Sequence, residues 1–584
     1  MKTCPKPALK ELGGVKLGTA RGADGRLPGP EIEPNGSKDS GFLWWKWPIL
    51  GAVVVFALLG TWNVRLPGLF SDELIQITAA LRFVKGDNMH SQTFGLGREI
   101  EIHSHRIPTM IMGYIGAVKT IAFVPLAAVV DLSPRSIRYF TILVGALALV
   151  AIAAFARRFF GPAAAILGIS LLAIDPSYLF FSRTDYGPTV FMMALKGLAL
   201  WQGMVWWQAR RLWPLCLASF AMGLGVYDKT NFLWIVFALG GAALLLAPQL
   251  LAGLKRREVI CAGALFLIGC LPLIAYNRHW PPPTWQALQA QNRYTTGETG
   301  PPRSLGEFEH RIVQRTAVLM DVFTATTVLY VRDLPAPRVV IMPPVMLIAS
   351  FITLICYAVP RLRRRWRREM FLLLGTFLII LAAALTPGAS QNHHLILAYP
   401  FPHLLVAAVS VRCARWFHRT KTPMGAVAAA AVVCLGFAAP AAASLLRYRQ
   451  VMDRLQETGG EGNWSDGIYS LDSWLETHDP DQPVVAVDWG IEQPLAALSQ
   501  GRLNCVDDVW SAQKAAAYQR FFDQPGTRYL LHAPAYTNFP QARDVFLEAA
   551  RNRRLQPQTV DVVTDGMARP VFLVYELVPI PANP

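Results

Sequence analysis

Two carboxylates, Asp72 and Glu73, stand side by side in "GLFSDELIQI" (68–77), directly after an apolar run. Other reactive residues sit at the ends of later runs. "EIHSHR" (101–106) brings His103, His105 and Arg106, and "FFSRTDYGPT" (180–189) brings Arg183, Asp185 and Tyr186. "VYDKTNF" (226–232) brings Asp228 and Lys229, and "QNHHLILAYPFPH" (391–403) brings His393 and His394. A carboxylate just outside a bilayer can meet a lipid carrying a head group and a polar acceptor from the aqueous side. It can take the proton of an acceptor hydroxyl within hydrogen-bond reach. Its charge also suits an oxocarbenium-like transition state. A phosphate leaving group needs nearby cations, for which Arg106, Arg183 and Lys229 are candidates. Transfer of a sugar from a polyprenyl phosphate fits this set, and a single displacement would invert the anomeric centre.

Each of these residues also has a plainer reading. Asp72 and Glu73 suit the first turn of an interfacial helix, where the helix dipole favours anions, with Ser71 as N-cap. Arg183 and Asp185 could be a local ion pair. Adjacent histidines often sit at an interface, and Lys229 could snorkel. The His103–His105 spacing is a weak metal signal, because i, i+2 ligands suit a strand better than a helix. What argues for chemistry is the gathering of these groups on one face, while the other face carries mainly arginine clusters.

The elements that must hold these residues follow from composition. The chain has 584 residues, 53% hydrophobic and 16% charged. Apolar runs occur near 42–62, 137–156, 162–181, 188–207, 212–228, 231–250, 258–276, 338–359, 370–386, 396–413 and 423–445. Long runs of this kind read as transmembrane helices. Basic clusters follow the even-numbered runs: Arg157-Arg158, Arg210-Arg211, Lys255-Arg256-Arg257, "RLRRRWRR" (361–368) and "RCARWFHRTK" (412–421). The positive-inside rule then puts the N-terminus in the cytoplasm and the acidic C-terminal region outside, in an inner or plasma membrane. The run 107–130 would break this parity and carries Lys119, so it reads as interfacial or re-entrant on the outer side. Leu74, Ile77, Leu81 and Val84 recur at helical spacing and are expected on the lipid surface.

The expected fold class is a polytopic α-helical membrane protein of about 11 transmembrane helices with outer-face interfacial helices, plus a C-terminal soluble α/β domain. Residues 1–41 form a cytoplasmic tail, and the first apolar run is a retained signal anchor. Residues 42–445 form the membrane domain, with outer-face loops at 63–136 and 277–337. Residues 446–584 form the extracytoplasmic domain. Its strands are expected at 483–490, 502–508, 527–533 and 571–578. Helices are expected in "SAQKAAAYQRFF" and "QARDVFLEAARNRR", with a largely parallel sheet.

The net charge of +16 does not indicate nucleic acid. From Arg447 onward 12 Lys/Arg face 18 Asp/Glu, and the basic residues elsewhere cluster at span ends. The eight cysteines form no CxxC pair, which excludes a disulfide framework or a cysteine metal site as the basis of the fold. A transporter or lipid-linked sugar flippase is the alternative. It would place its charges near the bilayer midplane within repeated halves. A scaffold displaying the C-terminal domain is a further reading.

Over roughly 42–410 the chain resembles the GT-C glycosyltransferases, in particular bacterial members related to protein mannosyltransferases and the aminoarabinose transferase of lipid A. The likeness rests on "FSDE" after the first span and on the interfacial segment 107–130. It rests also on "LSPRSIRYFTILVGALALVAIAAFARRFFG" (132–161) and "DPSYLFFSRTDYG" (175–187). The resemblance implies Asp72 as catalytic base, Glu73 as its companion and Asp185 as the second acid, at the acceptor site. In the family that second acid lies a few residues further on, where this chain has Pro188 and Thr189. The resemblance further implies a polyprenyl-phosphate sugar as donor, used at the outer face, and a protein, lipid or glycan acceptor. It requires no cofactor and leaves a divalent metal open.

Overall fold

The computed structural model describes residues 45–90, 98–295, 298, 300–326, 328, 331, 334–478, 480–506, 521–537 and 540–581. The tail 1–41, part of loop 277–337 and most of "SAQKAAAYQRFF" lie outside the described residues. The first part of the chain forms α1 (Lys46–Thr61), α2 (Ser71–Lys85), β1 (Arg98–Ile102), β2 (His105–Met110) and α3 (Val118–Val129). It continues through α4 (Pro134–Phe160), α5 (Pro162–Ala173), α6 (Pro176–Arg183), α7 (Thr189–Ala209), α8 (Leu212–Asp228) and α9 (Leu233–Leu246). Further long helices follow at Arg256–Tyr276, Leu305–Thr324, Met342–Ala358, Arg367–Leu385 and Phe401–His418.

Each of the eleven apolar runs folds as helix. Among the described residues five helices are long and apolar enough to cross a membrane, and the bent α5–α6 pair makes a sixth. Leu267, Leu271 and Phe351 leave 56%, 58% and 64% of their surface outside the protein. Apolar side chains turned outward along such helices are what a lipid environment allows. The protein is a multi-pass membrane protein.

Local chemistry sets the breaks. Ser133 and Ser136 form a reciprocal cap at the start of α4, with Pro134 in its first turn. Asp175 ends α5 and starts α6 by accepting the Tyr178 N–H at 2.9 Å. The other Asp175 oxygen accepts the Tyr399 hydroxyl and meets His403 Nε2, each at 3.1 Å. The chain bends by 62° there.

The segment after α1 differs from the expected lipid-hugging loop. Phe70, not Ser71, is the N-cap of α2, and Ser71 is its first residue. Leu74, Ile77 and Leu81 face the protein, packed with Phe123, Ile137 and Val190. An amphipathic stripe reads the same in sequence whether it covers lipid or protein, so the pattern did not decide between them. Residues 107–130 split into β2, a turn and the twelve-residue α3. At 1.5 Å per residue α3 is about 18 Å long, short of the ~30 Å hydrocarbon core.

The last membrane helix runs from Pro423 to Thr458 through a π-helical turn at Cys434–Ala438. The boundary expected at 445/446 therefore falls inside a helix, and no linker separates the two parts. The C-terminal sheet contains β3 (Val484–Ala486), β4 (Cys505–Val506), β5 (Arg528–His532), β6 (Leu555–Thr564) and β7 (Pro570–Pro579), in the order β4-β3-β5-β7-β6. Only β4, β3 and β5 are parallel. β7 and β6 are antiparallel, so the sheet is mixed rather than largely parallel. β6 went unforeseen because "LQPQTVDVVT" is polar and contains Pro557, which suits an edge strand.

Candidate functional site

The site is built around one buried ammonium. Lys119, near the start of α3, is fully buried and pairs with Asp185 at 3.1 Å. It also donates to the carbonyls of Glu73 (3.1 Å), Asp185 (3.1 Å) and Gly187 (2.9 Å). One side chain thus ties the first turn of α2 to the turn between α6 and α7. The Gly187 N–H adds a bond of 3.0 Å to the Asp72 carbonyl. Asp185 also accepts the Val190 N–H at 2.8 Å and so caps the start of α7.

Asp72 is half-buried and projects from this framework. The Tyr186 hydroxyl hydrogen-bonds its carboxylate. Burial pushes the Asp72 carboxyl above the usual carboxylate range, and the Tyr186 bond and the charges of Lys229 and Lys119 oppose that rise. Burial also lowers the Lys229 ammonium to about 8, against the pull of Asp72, Asp185 and Asp228. Lys229 is held by its backbone: Ile115 bridges to it, and the Gly116 N–H bonds the Asp228 carbonyl at 3.0 Å. A methyl group placed on Gly187 would lie 3.7 Å from Lys229 Nζ, so the ammonium sits over the 185–187 turn. Tyr114, on the turn before α3, lies within reach of the Asp72 charge.

The two histidines close the other side. The His393 ring lies 4.5 Å from the Tyr186 ring and 4.0 Å from the His394 ring. Both Nδ1 atoms are buried without a hydrogen-bond partner among the described residues. Arg315 acts electrostatically on His394 and is held by Glu298 at 2.8 Å. Glu298 also accepts the Gly388 N–H at 2.8 Å.

Other expected site residues have different partners. Glu73 is fully buried against Arg138, which donates to its two carboxylate oxygens at 2.9 and 3.0 Å. Arg183 donates to the carbonyls of Trp62, Asn63 and Leu66, where the chain leaves α1. Both residues therefore brace the framework. His103, His105 and Arg106 lie on the β1–β2 hairpin. His105 Nδ1 meets the Phe83 carbonyl at 2.6 Å. Phe83 stands eleven residues from Asp72 on α2, about 16 Å along the axis, so the structure does not bring the hairpin's basic residues to Asp72.

Lys119, Arg138, Tyr114 and Arg315 had no place among the sequence candidates. Lys119 did carry a signal: a lone cation in an apolar run needs a buried partner. Among the described residues no group of three or more His, Cys, Asp or Glu side chains is arranged to hold a metal ion. The cations nearest Asp72 and Asp185 are lysines.

The profile of dolichyl-phosphate-mannose-protein mannosyltransferases matches residues 123–276. No curated protein sequence matches the chain. ArnT from Cupriavidus metallidurans, in its structure bound to undecaprenyl phosphate, superposes with a TM-score of 0.54 at 12% identity. That match covers 91% of this chain and 98% of ArnT. The Archaeoglobus fulgidus oligosaccharyltransferase matches in its apo form with a TM-score of 0.50 at 13% identity, over 86% and 71% of the two chains. Its form tethered to an acceptor peptide matches with 0.50 at 14%, over 91% and 74%. The chain has the fold of ArnT and of this oligosaccharyltransferase.

Proposed function

We propose that the protein is an integral-membrane glycosyltransferase. It moves a sugar from a polyprenyl-phosphate donor to an acceptor hydroxyl at the extracytoplasmic face of an inner membrane. The observation that carries this reading is the half-buried Asp72 carboxylate, held by Tyr186 and facing the Lys229 charge, with the His393 ring against Tyr186. The acceptor hydroxyl gives its proton to Asp72 as its oxygen bonds to the anomeric carbon. The bond from that carbon to the phosphate oxygen breaks on the opposite side, so the configuration inverts. The polyprenyl phosphate leaves with the bonding pair, and Lys229, His393 and His394 meet its charge. Asp185 acts through Lys119 to position the Asp72 turn. ArnT, solved with undecaprenyl phosphate, supports the donor class, and the oligosaccharyltransferase, solved with an acceptor peptide, supports transfer to an acceptor.

The test is donor turnover by protein in nanodiscs. A panel of polyprenyl-phosphate sugars is offered with glycan, lipid and peptide acceptors, and free polyprenyl phosphate is followed. Release from one donor, with inverted configuration in the product, is expected. Release from none, by folded protein, would sink the reading in favour of transport. A product of retained configuration would sink the single displacement.

A further inference from the structure

A dense run of charge lies away from Asp72, on the surface. "RLRRRWRR" (361–368) holds six arginines in eight residues, where the helix Met342–Ala358 gives way to Arg367–Leu385. Arg361, Arg364 and Arg365 are exposed. Between Asp333 and Asp453 the only acidic residue is Glu369. It is buried, and it accepts a hydrogen bond from Arg412 Nε at 2.9 Å. The exposed arginines are thus left without a carboxylate on their own helices.

Side-chain contacts join this turn to two further basic ends. The Arg412 guanidinium also lies 4.8 Å from the Trp366 ring. It fixes the start of Arg367–Leu385 to the end of Phe401–His418, where Arg415 and Arg419 stand. Arg368 donates to the Phe159 carbonyl at 2.7 Å, at the end of α4 beside Arg157 and Arg158. Arg157, Arg158, Arg415 and Arg419 are exposed as well.

An apolar strip leads up to the cluster. Leu347, Phe351, Leu354, Ile355 and Val359 recur at helical spacing and are all exposed. From Leu347 to Val359 is about 18 Å along the axis, close to one leaflet of a ~30 Å hydrocarbon core. Arg363 closes the strip, its guanidinium 5.1 Å from the Tyr357 ring.

We propose that this face binds an anionic phospholipid of the cytoplasmic leaflet. Arg361, Arg364 and Arg365 take its phosphate, which the planar guanidinium meets with paired hydrogen bonds. One acyl chain lies along the strip from Leu347 to Val359. Basic clusters at the cytoplasmic ends of membrane helices attract anionic lipids. A zwitterionic lipid brings its own cation, which the cluster repels. The site uses none of the residues around Asp72 and stands apart from the transferase reading.

The test is native mass spectrometry of the full chain, delipidated in neutral detergent and titrated with dioleoyl phosphatidylglycerol or dioleoyl phosphatidylcholine. Phosphatidylglycerol should bind about tenfold more tightly than phosphatidylcholine. Arg361→Gln/Arg364→Gln/Arg365→Gln should lose that preference with the thermal transition retained. Lys255→Gln/Arg256→Gln/Arg257→Gln, which removes the same charge from another exposed turn, should keep it. Arg364→Glu, a single exposed change, should weaken phosphatidylglycerol binding about fivefold. Glycerol 1-phosphate, a head group without chains, should not displace the lipid. Equal binding of the two lipids, an unchanged preference in the arginine variants, its loss in the 255–257 variant, or displacement by glycerol 1-phosphate would overturn the site.

Discussion

Asp72 and Lys229 have opposite titration behaviour, and a pH profile follows from it. Burial holds the Asp72 proton on above the usual carboxylate range, so the base form appears only as pH rises past that raised value. Lys229, lowered to about 8, loses its charge above that pH. kcat/KM should therefore rise on the acid side, fall on the alkaline side, and report the free enzyme. In Lys229→Arg the guanidinium stays charged, so the alkaline fall near 8 should disappear. An unchanged alkaline limb would show that Lys229 does not set it. Asp72, Asp185, Lys229 and the histidine pair were legible in the sequence because reactive types recur at the ends of apolar runs. The partners of Lys119 and Arg138 were not, because they lie 66 and 65 residues away in sequence.

At the scale of elements, α2 is fixed by two buried cations. Arg138 on α4 holds Glu73 and also donates to the carbonyls of Val64 and Pro67 at 2.9 and 2.8 Å. Lys119 on α3 holds the same first turn through the Glu73 carbonyl. Glu73→Ala would leave the Arg138 charge buried without its carboxylate, at a cost of about 3–5 kcal/mol. The expected outcome is a markedly lower thermal transition in detergent, whereas a transition equal to that of the parent protein would show the pair to be dispensable. The helices themselves were legible from the apolar runs. The direction in which α2 faces was not, nor was β6, whose alternation is obscured by polar residues on an edge.

Across the whole molecule, the C-terminal part of the chain clamps the helix that bears Asp72. The Phe70 ring stacks 4.0 Å from Trp464, and the Gly68 N–H bonds the Trp464 carbonyl at 2.8 Å. A Cβ on Gly68 would fall 1.9 Å from the Ser465 carbonyl oxygen, so only glycine allows this approach. Thr78 and Gln493 are hydrogen-bonded further along α2. The charge division between the two parts was legible in composition, but this docking joins residues about 400 apart and leaves no local pattern. The most direct test of the account is release of polyprenyl phosphate by Asp72→Asn beside the parent protein, with the accepted donor and acceptor. An amide cannot take the acceptor proton, so the rate should fall about 10²–10⁴-fold while the thermal transition is retained. Parent-like turnover in Asp72→Asn would contradict the assignment of Asp72 as the base.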